Sequence, residues 1–172
     1  MPANRYVLKK PNQTQFALPQ ALALAAVLAG IDQTSKWLIV FGLNFQTGEP
    51  HALLPFLDLR LLWNPGISYG MLDSSSELGR WLLFSLASVI TLGFLWAMRT
   101  APNKIVRLAY AMIIGGALGN LVDRGLHGAV VDFISLHSDG YYWYVFNLAD
   151  IWITLGVLLL ISDVFRDDKD TA

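Results

Sequence analysis

Long apolar runs alternate with short polar interruptions along this chain, and the period of the pattern changes from run to run. Apolar stretches at about 18–43, 81–98, 105–122 and 148–165 predict four helices, each near the roughly 20 residues that a membrane span needs. The first is broken by Asp32-Gln33-Thr34-Ser35-Lys36. Asp32 and Lys36, four apart, share one helix face with the acid N-terminal, the favourable order. The pair reads either as self-neutralising, which makes the span tolerable, or as a polar face turned towards a site. Between the first two runs, Leu57, Leu59, Leu61 and Trp63 alternate with Asp58, Arg60, Leu62 and Asn64, a period of two that predicts a strand. Asn64-Pro65-Gly66 follows with the spacing of a type II turn, and Tyr69, Met71 and Leu72 predict a return strand, so residues 44–80 are expected to form a small sheet on the membrane surface. Ser74 and Glu77 are spaced as a capping box ahead of the second span. In the third run, Gly115 and Gly119 have the small-xxx-small spacing that lets helices approach closely. In the second long loop, 123–147, Tyr141, Tyr142, Trp143 and Tyr144 predict an aromatic cluster at the membrane interface.

Composition agrees with a membrane chain. Of 172 residues, 55% are hydrophobic and 15% charged, against about 25% charged in a soluble domain, and the mean hydropathy is +0.48. Four spans leave no room for a separate soluble domain, so the expectation is a single integral membrane domain over 1–172. Lys9, Lys10 and the run from Phe16 to Ile31 imitate a signal peptide, but apolar character resumes after Lys36 and favours an uncleaved first span. A net charge of −1 offers no basic surface for nucleic acid. The absence of cysteine excludes disulfides, thiolate nucleophiles and Cys-ligated metals. Arg5, Lys9, Lys10, Arg99, Lys104, Arg107, Arg166 and Lys169 fall on one side of the predicted topology, and Arg60, Arg80 and Arg124 on the other. The positive-inside rule therefore puts both termini in the cytoplasm and the two long loops outside.

In that topology the polar groups converge. Asp123, Asp132 and Asp150 fall at the outer surface, Asn64 lies in the outer loop, and Asp32 reaches the outer half of the first span. Gly116, Asn120, Asp123 and Arg124 share one face of the third helix. Ionisable residues in such places are functional by default. Each also has a plainer reading: Asn147 as an N-cap with Asp150 three residues on, Asp123 and Arg124 as a polar stop to the third span, and His51, His127 and His137 as loop residues. Asp132 is harder to read plainly, because Val130, Val131, Phe133 and Ile134 surround it with apolar neighbours. No His-Glu-x-x-His and no Gly-x-Ser-x-Gly is present, and adjacent Ser35 and Lys36 point apart on a helix. What remains is a pair of aspartates sharing a proton, one acting as base on water and the other donating to the scissile carbonyl. Asp132 is expected to hold the proton, and Asp150, at a helix N-terminus, the negative charge. A small proton-coupled carrier and a non-enzymatic assembly factor with acids as helix glue are the competing readings.

At these residues the chain resembles the bacterial lipoprotein signal peptidases (signal peptidase II). The likeness rests on Asp32-Gln33-x-x-Lys36, Asn64-x-Gly66, Gly115-Gly116-Ala117-Leu118-Gly119-Asn120-Leu121-x-Asp123-Arg124, Val130-Val131-Asp132-Phe133 and Phe146-Asn147-Leu148-Ala149-Asp150, in order. The resemblance implies an all-α membrane protein with four transmembrane helices, a small sheet cradling substrate at the outer surface and a short surface helix in the second outer loop. It implies an aspartic endopeptidase of the bacterial inner membrane, acting at the periplasmic side, inhibited by globomycin and using no cofactor or metal. Its substrate would be a prolipoprotein signal peptide, cut before a diacylglyceryl-cysteine. Asp132 and Asp150 match the family's catalytic dyad. Asp32, Lys36, Asn64, Gly66, Asn120, Arg124 and Asn147 match residues that support the dyad or contact substrate, and Gly116 and Asp123 stand within the same motif. The protein is expected to be a monomer in contact with membrane lipid. The chain departs from the family at Pro65-Gly66-Ile67-Ser68-Tyr69, where many relatives carry a Thr-Gly-Ala-Ala-Phe-like run. The departure bears on side-chain preference around the signal-peptide residues.

Overall fold

The computed structural model describes residues 16–66, 77–138 and 141–170, the last four by backbone alone. The elements run α1 (Leu18–Trp37, continued by a π-helical turn Leu38–Gly42), β1 (Pro50–Leu54), β2 (Leu57–Asn64), α2 (Glu77–Arg99), α3 (Lys104–His127), β3 (Val130–Ser138), β4 (Tyr141–Phe146) and α4 (Leu148–Asp170). All four helices are long and apolar enough to cross a membrane. Helix α3 is the most buried of them and packs against the other three.

Local chemistry accounts for the helix ends. Pro19 stands in the first turn of α1, where its missing N–H costs nothing. The side chain of Asn103 accepts from the backbone N–H groups of Ile105 and Val106 and so starts α3. Gly128 ends α3 in the left-handed region at φ 71°. Helix α3 therefore runs past the expected stop at Val122, and Asn120, Asp123, Arg124 and His127 are helical. Its polar residues continue the helix because they find partners inside the protein, and the glycine is what ends it. In α2, Glu77 is already helical, ahead of the apolar run that opens at Trp81 and in keeping with its spacing from Ser74. His51 and His137 lie in strands β1 and β3, not in loops.

The strands form one antiparallel sheet in the order β1-β2-β3-β4. Strand β2 covers the predicted alternation. The expected return strand at Tyr69, Met71 and Leu72 and the Ser74 cap lie outside the described residues; β2 pairs instead with β1 and β3. The second loop carries β3 and β4, and no short surface helix stands among its described residues. Its Val130, Val131, Ile134, Tyr141, Tyr142, Trp143 and Val145 favour the pleated form. Two irregularities flank the middle of β3. One lies where Leu59 and Leu62 of β2 pair with Ile134 and Asp132. The other lies where Tyr142 and Val145 of β4 pair with His137 and Ser135. In each case the partner strand has one residue more than β3, a bulge that re-aims side chains.

Every strand joins the bundle at the same end. Strands β1 and β3 follow the C-terminal ends of α1 and α3, while β2 and β4 lead towards the N-terminal ends of α2 and α4. Ile39, Leu61, Val131 and Phe133 form the small core that seats the sheet on α1. At that end the helices approach closely. Gly115 and Gly119 face α1, where added Cβ atoms would meet the Ala25 backbone oxygen and the Asp32 carboxylate. Gly116 faces α4, where a Cβ would strike the Ala149 backbone oxygen and lie 2.8 Å from the Ile153 side chain. Backbone cannot swing aside as a side chain can. Gly116→Ala is therefore expected to cost about 1–3 kcal/mol, read as a lower unfolding midpoint in detergent, with Gly30→Ala, which meets nothing within 4 Å, as the silent control.

Candidate active site

The site begins with a lysine that has no water to turn to. Lys36 is 2% exposed, and Asp32, one turn earlier, is fully buried. The ammonium lies 2.7 Å from Asp32 Oδ2 and 2.9 Å from Asp123 Oδ2 on α3, and donates to Asn120 Oδ1 at 2.9 Å. Two carboxylates and one amide oxygen thus surround the ammonium. Each acid also accepts from backbone. Asp32 Oδ1 accepts from the Ala149 N–H at 2.9 Å, in the first turn of α4, and Asp123 Oδ2 accepts from the Val131 N–H at 3.0 Å, at the start of β3. One buried ion cluster therefore ties α1, α3, α4 and β3 together. Both readings of the Asp32/Lys36 pair are met: the two charges neutralise one another, and their face is turned inward.

From this base the asparagines carry order to the two acids. Asn120 Nδ2 donates to Asp150 Oδ1 at 3.0 Å. Asn147, fully buried, donates through Nδ2 to Asp132 Oδ1 at 2.6 Å, to Asn120 Oδ1 at 3.1 Å and to the Val131 carbonyl at 3.3 Å. Asn147 is also the N-cap of α4: its side-chain oxygen accepts from the Asp150 N–H at 3.1 Å while Asp150 Oδ2 accepts from the Asn147 N–H at 3.3 Å. The plain reading is met, and the cap that starts α4 also holds Asp132 and Asp150 side by side. On the far side of Asp132, Asn64 Nδ2 donates to Oδ2 at 2.9 Å, and Asn64 Oδ1 accepts from the Gly66 N–H at 3.0 Å. Gly66 has φ 117°, a conformation that asks for glycine.

Asp132 is 1% exposed. Burial pushes its carboxyl up to about 6 and the charge of Asp150 adds to the rise, whereas the hydrogen bonds from Asn64 and Asn147 and the charge of Lys36 oppose it. Arg124, half-buried, directs Nη1 to the Asn120 carbonyl at 3.5 Å, and its charge faces Asp150, Asp132 and Asp123. Beside Asp150 opens an apolar cleft of about 320 Å³ lined by Phe146, Asp150, Ile151, Thr154 and Leu155. Among the described residues no three His, Asp or Glu side chains gather as metal ligands would.

The sequence-predicted residues thus fall in one place at the sheet end of the bundle: Asp32, Lys36, Asn120, Asp123, Asn147, Asp132 and Asp150 in one hydrogen-bonded network, Asn64 and Gly66 at its rim, Arg124 beside it and Gly116 where α3 meets α4. Two participants were not singled out. Gln33 Nε2 donates to Asp123 Oδ1 at 2.8 Å and to the Gly119 carbonyl at 2.9 Å; its place one residue after Asp32 in the first motif was the available signal. Tyr144, counted only among interfacial aromatics, accepts from Asn64 Nδ2 at 3.1 Å, and nothing in its local sequence signals that reach.

The family described as Signal peptidase (SPase) II matches residues 24–166. A lipoprotein signal peptidase of Methylobacterium radiotolerans is 46% identical over 156 residues, 88% of each chain. That of Methylorubrum extorquens strain PA1 is 43% identical over 145 residues, 84% of each. Among solved structures, a bacterial membrane enzyme determined by the in meso method at 2.3 Å superposes with a TM-score of 0.78 at 26% identity, covering 92% of this chain and 94% of that one.

Proposed function

Since this chain belongs to the signal peptidase II family, we propose that it is an aspartic endopeptidase that removes the signal peptide from diacylglyceryl-modified prolipoproteins, cutting before the lipidated cysteine. The observation that carries the reading is the pair Asp132 and Asp150. They are held side by side through Asn147 and Asn120, and among the described residues their oxygens meet only the donors that orient them.

The chemistry follows from the arrangement. Asp132, with its raised affinity for a proton, holds the shared proton and donates it to the scissile carbonyl oxygen. Asp150 takes a proton from water as that water attacks the carbonyl carbon. The developing oxyanion is thus neutralised by transfer rather than left in an apolar site. The carboxyls then exchange roles as the amine leaves. Lys36 fixes Asn120, and through it Asp150. Asn147 and Asn64 grip the two oxygens of Asp132. The apolar cleft at Asp150 suits a substrate that arrives from lipid, and the adjoining sheet suits a peptide that must leave helical form to be attacked. The Lys and Arg distribution supports a site on the periplasmic side of the inner membrane with both termini cytoplasmic.

The direct test is cleavage of purified diacylglyceryl-prolipoprotein by the purified protein in detergent. No cleavage, or cleavage away from the modified cysteine, would sink the proposal. The free-enzyme profile of kcat/KM is expected to fall as pH rises through about 6, because Asp132 then loses the shared proton. Asn64→Ala removes a hydrogen bond that favours ionised Asp132. The fall is therefore expected to move to higher pH in that variant, and a shift to lower pH would contradict the assignment of the proton.

A further inference from the structure

Asn64 has spent its hydrogen-bonding groups: its oxygen on the Gly66 N–H, one amide proton on Asp132 and the other on the Tyr144 hydroxyl. It retains no proton for a substrate. Tyr144 does. A phenol that accepts a hydrogen bond keeps its own proton to donate, and among the described residues no acceptor takes it. Tyr144 stands in the irregular stretch of β4, between the pairs His137–Tyr142 and Ser135–Val145. The extra residue there re-aims the strand's side chains, and the Tyr144 ring crosses to the end of β2. The residue is 63% exposed, so its hydroxyl meets the catalytic rim from the open side, one donor removed from Asp132.

We propose that Tyr144 is a substrate-binding residue whose hydroxyl, set by Asn64, donates a hydrogen bond to a carbonyl oxygen of the bound substrate beside the scissile bond. The assignment rests on the proposed signal-peptidase reading and adds to it a contact on the open side of the dyad. The acceptor is a carbonyl either of the extended peptide or of the ester groups on the lipidated cysteine. The peptide is nearer to the reacting bond.

Saturation kinetics of Tyr144→Phe test this, using diacylglyceryl-prolipoprotein and an otherwise identical substrate whose glyceryl chains are ether-linked. The variant keeps the ring and loses only the hydroxyl. One neutral hydrogen bond is worth about a three- to tenfold rise in KM, with kcat within about twofold and with the pH profile and unfolding midpoint those of the intact protein. The same rise on the ether-linked substrate assigns the acceptor to the peptide; a rise only on the ester-linked one assigns it to the lipid. An unchanged KM overturns the proposal. So does a shifted pH limb at unchanged KM, which would mean that the hydroxyl acts on Asp132 through Asn64 rather than on substrate. If Tyr144→Phe does not fold, a fluorinated tyrosine at 144, a stronger donor of nearly the same shape, is expected to lower KM, and no change there overturns the assignment. Failure of the intact protein to cut either substrate would instead remove the reading beneath it.

Discussion

Asp132→Asn and Asp150→Asn are each expected to abolish prolipoprotein cleavage, by about a thousandfold or more in kcat, while leaving the protein folded. The structural argument for retained folding is specific. An asparagine at 132 keeps an oxygen for Asn147 or Asn64, and one at 150 keeps an oxygen that can still accept from the Asn147 N–H as in the present cap. Among the described residues neither aspartate forms a salt bridge with a lysine; Arg124, half-buried, loses one facing charge but keeps Asp123 and the other aspartate, and Lys36 keeps Asp32, Asp123 and Asn120. An amide cannot carry the proton that the pair must hold and pass on. The two variants are also expected to be no worse together than singly, since the acids act as one unit. The measurements are cleavage rate and unfolding midpoint in the same detergent. Normal cleavage by either variant would make the acids helix glue or ion sites, as the competing readings hold.

Lys36→Met is expected to do the opposite: to lower stability first and activity as a consequence. The side chain is close in length and apolar, so the volume is kept and only the charge and its three contacts go. Asp32 and Asp123 are then left buried without their cation. Breaking a buried pair by removing one partner costs about 3–5 kcal/mol, a large share of the stability of a small protein. The unfolding midpoint is expected to fall accordingly. Adding Asp32→Asn is expected to recover part of the loss, because it removes one of the stranded charges. Cleavage is expected to fall as well, since Lys36 orients Asn120, and Asn120 orients Asp150. A Lys36→Met protein that melts like the intact one would show that the cluster contributes little to the fold.

Much of this protein was legible in its residues, for reasons that can be named. The four spans were, because hydrocarbon demands a continuous apolar run and α2 and α4 obey almost without exception. Strand β2 was, because a half-buried sheet imposes a period of two. The acids were, because a charge among apolar neighbours at a helix end has few plain explanations. The full extent of α3 was not. Hydropathy stops at Val122, yet the helix runs on to His127, and Asp123 within that last stretch is held by partners from α1 and β3. Strands β3 and β4 replaced an expected surface helix because β2 offers β3 an edge, a contact between segments more than sixty residues apart.

The sequence by itself determined which residues were candidates for the site: four aspartates at one end of the predicted spans, a lysine four residues after one of them, and asparagines at a helix start and in a turn. Only the tertiary structure decided who holds whom. Lys36 pairs with Asp123 as well as Asp32, Asn147 serves both a helix cap and Asp132, and Tyr144 reaches Asn64 across a bulged strand. The physical reason is one of range. Hydropathy and helix periodicity act within a few residues along the chain. Hydrogen-bond partners in a buried cluster are set by which distant donors arrive within 3 Å once four helices and a sheet have packed.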